Sequence, residues 1–101
     1  MSAPKYLTES EAWEAVADGY ERGTYSTGLR GLCITVWILF SNHKVRYDTY
    51  IYMKRRIDCY RIKHGMGKDG FFWPRTKEFA PLRAALARQF AEESKPKNRR
   101  K

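Results

Sequence analysis

The chain has 101 residues, 43% apolar and 15% aromatic. That is enough for one modest core and too apolar for a disordered polymer. The longest apolar run, residues 32–40, is far shorter than the roughly 18–20 residues of a membrane span. No basic-then-apolar leader opens the sequence, so the expected compartment is the cytoplasm. The formal net charge is +9 and unevenly placed. Residues 1–23 hold two basic and five acidic side chains, whereas the remainder holds 18 basic and six acidic. Such asymmetry points to a polyanionic partner or an electrostatically steered encounter; the plainer reading is ordinary solubility charge.

A first helix is predicted from Thr8, which with Glu11 has the spacing of a capping box. Glu9, Glu11 and Glu14 suit the positive end of its dipole. Trp13, Val16, Ala17 and Tyr20 recur at i, i+3, i+4 and i+7 as one apolar stripe, and Gly23 suits a left-handed stop. Residues 24–31 form a polar connector.

The run LCITVWILF after it is ambiguous. Ile34, Thr35, Val36, Trp37 and Ile38 favour strand by propensity. Residues 41–44 could then be a hairpin turn, with Val45, Tyr47, Thr49, Ile51 and Met53 on one face of a return strand. Against this, Tyr50, Met53, Ile57 and Tyr60 fall at helical spacing, and Lys54-Arg55-Arg56 is poorly suited to a long strand. Pro81 fits the first turn of a last helix, along which Phe79, Leu82, Leu86 and Phe90 keep a helical period. The terminal SKPKNRRK has no apolar residue and reads as a disordered basic arm.

Between the third and fourth helical segments lies RIKHGMGKDGFFWPRT, residues 61–76. Its glycines let backbone amides approach an anion, its cations neutralise one, and its aromatics stack on a base or lock into a core. Gly65 to Gly70 matches G-x-G-x-x-G, but the dinucleotide fingerprint needs a preceding strand and a following helix, and neither is predicted. An anion-binding nest assisted by Lys63, His64 and Lys68 competes with a plain interhelical turn. Pro74 restricts Trp73 to extended geometry and is expected to aim its indole into the core.

The order Gly31-Leu32-Cys33, then VRYDTYIYM at 45–53, then Phe72-Trp73-Pro74, then Arg83, Leu86 and Phe90 on a last helix resembles a loose group of small tailed-phage proteins. In that group a short amphipathic helix precedes a Gly-Leu/Ile-Cys motif. A helix with a Tyr…Met…Ile stripe follows, then an aromatic-Trp-Pro stretch and an Arg-rich helix. The resemblance covers most of residues 13–91 and implies a helical fold and a phage origin, not an activity. The β-branched run at 34–38 and the basic tail depart from its pattern.

No catalytic set is visible. Cys33, His43, Cys59 and His64 could supply four zinc ligands, but the close cysteine pairs of structural zinc sites are missing. No metal or cofactor is therefore expected, and both cysteines are expected as buried thiols. Asp48 and Asp58 would lie about 15 Å apart along a helix, too far to share one substrate atom. Trp13, Trp37 and Trp73 are expected in the core.

The tyrosines are too many for one buried stripe, so some must be exposed. Tyr52 falls near Arg55 and Arg56, and Tyr60 near Arg56 and Lys63, by the i+3 and i+4 rule. Tyrosine beside arginine binds bases and phosphates, and also makes protein-interface hot spots.

The expectation is an all-α, small four-helix domain over residues 1–94, with helices near 9–22, 31–42, 46–62 and 79–93, and a basic tail at 95–101. The alternative is α+β, with a hairpin at about 33–53. The expected function is non-enzymatic binding of nucleic acid or a nucleotide. Tyr52, Arg55, Arg56, Tyr60, Lys63, His64, Lys68 and Arg75 form the candidate surface, joined by Lys54 and Arg61, which need not point the same way; Arg55 lies at the margin of the face. The alternative is a phage-encoded inhibitor that docks on a host or anti-phage defence protein through the same surface.

Overall fold

A computed structural model describes residues 6–23, 31–65 and 77–95. The described residues hold four α-helices: α1 Glu9–Arg22, α2 Leu32–Ser41, α3 Tyr47–Lys63 and α4 Ala80–Ser94. A 3₁₀ turn, Lys77–Phe79, leads into α4, and no strand occurs among the described residues. The all-α expectation holds, and the hairpin alternative at 33–53 is excluded.

α1 begins and ends as its sequence dictates. The Thr8 amide donates to Glu11 Oε1 at 2.9 Å, and the Glu11 amide returns to Thr8 Oγ1 at 3.2 Å. Two amides that a helix start leaves orphaned are thereby satisfied. At the other end Gly23 turns left-handed at φ 77°. Ala12, Trp13, Val16, Ala17 and Tyr20 are buried, so the predicted stripe is the real one.

That stripe packs on α4. The Trp13 and Phe90 rings lie 4.8 Å apart, tilted by 58°. Ala80, Ala84, Ala87 and Ala91 recur every three or four residues, and all are buried. Small side chains at that spacing let two helices approach closely. The face of α4 differs in part from the expected one: Leu82 is 44% exposed, while fully buried Arg83 takes an inward position. Burial pushes the Arg83 guanidinium below its ordinary pKa, and attraction from Tyr20 opposes the shift. Leu86 and Phe90 of the expected stripe are buried, but close packing sets the alanines beside them in place of Leu82. Pro81 sits in the first turn as predicted.

α2 resolves the ambiguous run as helix. Leu32, Thr35, Val36 and Leu39 are its buried residues, at i, i+3, i+4 and i+7. That period is invisible in a segment where almost every residue is apolar. Thr35 tolerates the interior because its hydroxyl donates back to the Gly31 carbonyl at 3.0 Å and meets the Tyr20 hydroxyl at 2.8 Å. Ile34 and Trp37 are left outside, 41% and 50% exposed. Trp37 is thus not the core residue expected of it, because it lies on the opposite side of α2 from Leu32, Val36 and Leu39. Residues 41–44 are a helix C-cap and not a hairpin turn: the His43 amide donates to the Phe40 carbonyl at 3.0 Å, and the Lys44 amide to Leu39 at 2.9 Å.

α3 buries Met53 and Ile57 completely, with Tyr50 and Tyr60 packed partly against the core. The two thiols depart from expectation, Cys33 being half-buried and Cys59 exposed. Cys59 lies between the Ile57 and Tyr60 positions in sequence but is turned away from the buried face of the helix. No helix among the described residues is long and apolar enough to cross a membrane. The expectations for Trp73, for the glycine loop beyond Gly65 and for the tail beyond Lys95 fall outside the described residues.

Candidate anion-binding groove

α3 places Tyr52, Arg56, Tyr60 and Lys63 on one face, because they recur every four or three residues. That face forms one wall of a groove of about 420 Å³, to which Arg55, Cys59 and His64 also contribute. α1 supplies Glu9, and α4 supplies Gln89, Phe90 and Glu93. Six of the eight candidate residues therefore line a single groove: Tyr52, Arg55, Arg56, Tyr60, Lys63 and His64. Lys68 and Arg75 lie outside the described residues. Lys54 and Arg61 are directed elsewhere. Lys54 Nζ stands 5.5 Å from the Tyr50 ring centroid, and Arg61 Nε donates to Asp58 at 3.1 Å.

The six do not act alike. Arg56 Nε donates to Glu9 Oε2 at 2.8 Å, and its Nη1 reaches Glu93 Oε1 at 3.3 Å. Glu9 Oε2 also accepts from Trp13 Nε1 at 3.1 Å, and Gln89 Nε2 holds the other oxygen of Glu93 at 3.1 Å. Burial alone would lower the Arg56 pKa, but the bonds and charges of Glu9 and Glu93 outweigh it and raise the value above the ordinary one. Arg56 thus ties α1, α3 and α4 together, and its charge is already answered. The expectation that it faces an external anion is corrected on that ground.

Arg55 and Lys63 have no ion pair among the described residues, so they are the groove's available cations. Lys63 is in the last turn of α3, where a cation suits the negative end of the dipole. Tyr52 is 54% exposed and presents a free ring. Tyr60 is more committed. Its ring meets Phe90 edge-on at 5.6 Å and His64 at 4.2 Å. It is a floor and not a platform, with His64 as the outer layer.

The groove thus holds three cations and two carboxylates. Sequence reasoning missed Glu9, Cys59, Gln89, Phe90 and Glu93. Only Glu9 had a local signal, its four-residue spacing from the Trp13 indole. Glu93 and Gln89 enter through the docking of α4, which has no local signature. Among the described residues no group of histidine, cysteine and carboxylate side chains is arranged to hold a metal ion. No family model matches the chain, and neither a curated protein nor a solved structure does.

Proposed function

We propose that the protein is a non-enzymatic binder of nucleic acid or nucleotide that works through the α3 wall of this groove, in the cytoplasm. Arg55 and Lys63 contact phosphate, and Tyr52 and the outer face of His64 stack on a base. The observation that carries the reading is the meeting of two unpaired cations and an exposed tyrosine in one groove of about 420 Å³. That volume lies within the range of small-molecule and cofactor sites. The test is double replacement of Arg55 and Lys63 by Glu, with binding of a labelled oligonucleotide measured across a salt series. Wild-type affinity is expected to fall steeply with salt, and the variant to lose affinity and about two units of the salt slope. Unchanged binding by a folded variant overturns the reading.

A second reading is favoured by Glu9 and Glu93. A groove of mixed charge with tyrosine and arginine at its rim also suits a protein partner. In that reading the chain is a stoichiometric inhibitor of a host or anti-phage defence protein, in line with its resemblance to small tailed-phage proteins. Pull-down from lysate with and without nuclease separates the two, because only the first reading predicts loss of the captured material after digestion.

A further inference from the structure

A second cleft, of about 400 Å³, opens where α2 ends and α3 begins. It shares no residue with the groove, being lined by Tyr6, Phe40, His43, Val45, Arg46 and Tyr47. Three of these carry benzene-type rings, two carry nitrogen donors that suit an anion, and none is a carboxylate. The Phe40 ring lies 5.7 Å from Tyr47 and stacks on Tyr50 at 4.8 Å, with planes only 9° apart. Tyr47 is 63% exposed, so a planar ring has access to it. Arg46 stands at the rim, its guanidinium carbon 5.9 Å from the Tyr6 centroid. The nearest acid, Asp48, is 3.9 Å from Arg46, but both side chains are about two-thirds exposed at 68% and 65%. Its Oδ1 accepts from the Thr49 amide at 2.8 Å. A pair so open to water is weak and easily exchanged for a phosphate.

His43 is the informative residue. It follows the α2 C-cap at φ 61°, in the left-handed conformation that glycine fills at helix ends. An imidazole there carries a steric cost that glycine would avoid. The strain holds a donor at the cleft, beside Arg46.

We propose that this cleft seats one nucleotide unit of a single-stranded nucleic acid, with the base on Tyr47 and Tyr6 and the phosphate at Arg46 and His43. The inference rests on the reading of the protein as a nucleic-acid binder and narrows it, because a base can lie on Tyr47 only when it is free of a duplex stack. Charge complementarity identifies the occupant: the lining offers a guanidinium, an imidazole and π faces and no acid.

The test uses the full chain and a fluorescein-labelled oligothymidylate, read by anisotropy at low salt. His43→Gly is the sharpest variant, because it relaxes the backbone, so the melting temperature holds or rises while affinity falls. His43→Gly, Arg46→Gln and Tyr47→Ala are each expected to weaken binding about five- to tenfold, and Tyr47→Phe to bind as the wild type does. Tyr47→Ala is also expected to reduce the preference for oligothymidylate over an abasic strand of equal length, which loss of charge alone does not do. Equal wild-type affinity for the abasic strand overturns the proposal, as does unchanged affinity in folded His43→Gly. Thymidine monophosphate competing as well as the oligonucleotide overturns the strand in favour of a free nucleotide. If Arg55→Glu with Lys63→Glu abolishes binding while the cleft variants do not, the groove reading stands and this one falls. The converse result rejects the groove and keeps the cleft.

Discussion

The Arg56 guanidinium donates to the Glu9 carboxylate at 2.8 Å across 47 residues of sequence. One side chain of α3 thereby holds the first turn of α1, and through Glu93 the last turns of α4. The Arg56 side chain is 28% exposed, so the pair is neither a solvated surface contact nor a fully buried one. Arg56→Ala is expected to cost about 1–2 kcal/mol, between the values for exposed and buried pairs. Arg56→Glu costs more, because three carboxylates then converge. Urea denaturation measures both. An Arg56→Ala variant of unchanged midpoint would show that the bond contributes nothing. Charge reversal at Arg56 therefore reports on stability, and binding is better tested at Arg55 and Lys63.

Trp13 and Trp37 separate burial from composition. Trp13 is fully buried against Phe90, so Trp13→Ala is expected to cost about 3–5 kcal/mol and to unfold much of the population of so small a domain. Trp37 meets Phe40 and Tyr50 in tilted contacts at 5.9 and 6.0 Å, and is 50% exposed. Trp37→Ala is expected to cost about 1 kcal/mol or less. Near-ultraviolet circular dichroism and a denaturant midpoint check the contrast. Equal losses would contradict the placement of Trp37.

The two tryptophans also mark how far the sequence can be read. Thr8, Glu11 and Gly23 set α1 through contacts within four residues, and such contacts are legible from spacing alone. The α3 face of the groove was legible for the same reason, since Tyr52, Arg56, Tyr60 and Lys63 share a helical period. The side of α2 that turns outward was not legible, because nearly every residue of 32–40 is apolar and the period has no polar contrast. Nor was the neutralisation of Arg56, which depends on α1 and α4 docking from 47 and 37 residues away. Periodicity identifies faces; it does not say which charges are answered across them.

The α1 cap gives a local prediction. Thr8→Ala removes the acceptor of the Glu11 amide and is expected to cost about 1 kcal/mol. Gly23→Ala forces a Cβ into the left-handed region at φ 77° and is expected to cost a similar amount, about 1 kcal/mol. The two sites lie at opposite ends of α1 and share no partner, so the double variant is expected to lose the sum. A clear departure from additivity in urea denaturation would mean that the helix frays as one unit.

Arg88 of α4 decides what becomes of the acidic first helix. Its guanidinium donates to Asp18 at 3.0 Å and Glu21 at 2.6 Å, and it also reaches Glu14 at 2.5 Å. These hydrogen bonds raise the Arg88 pKa above its ordinary value. With Glu9 held by Arg56 and Glu11 engaged by the Thr8 cap, each of the five carboxylates of α1 has a partner. The negative charge of this helix is therefore partly offset on its own protein, by two arginines facing four of its five carboxylates. Arg88→Gln leaves Glu14, Asp18 and Glu21 facing one another, so the melting temperature is expected to fall. Added salt is expected to narrow the difference, because it screens exposed charges. Oligonucleotide affinity is expected to fall in the same variant at low salt and to recover relative to wild type as salt rises. A loss of stability that salt leaves unchanged would mean that Arg88 acts through packing of its aliphatic stem and not through its charge.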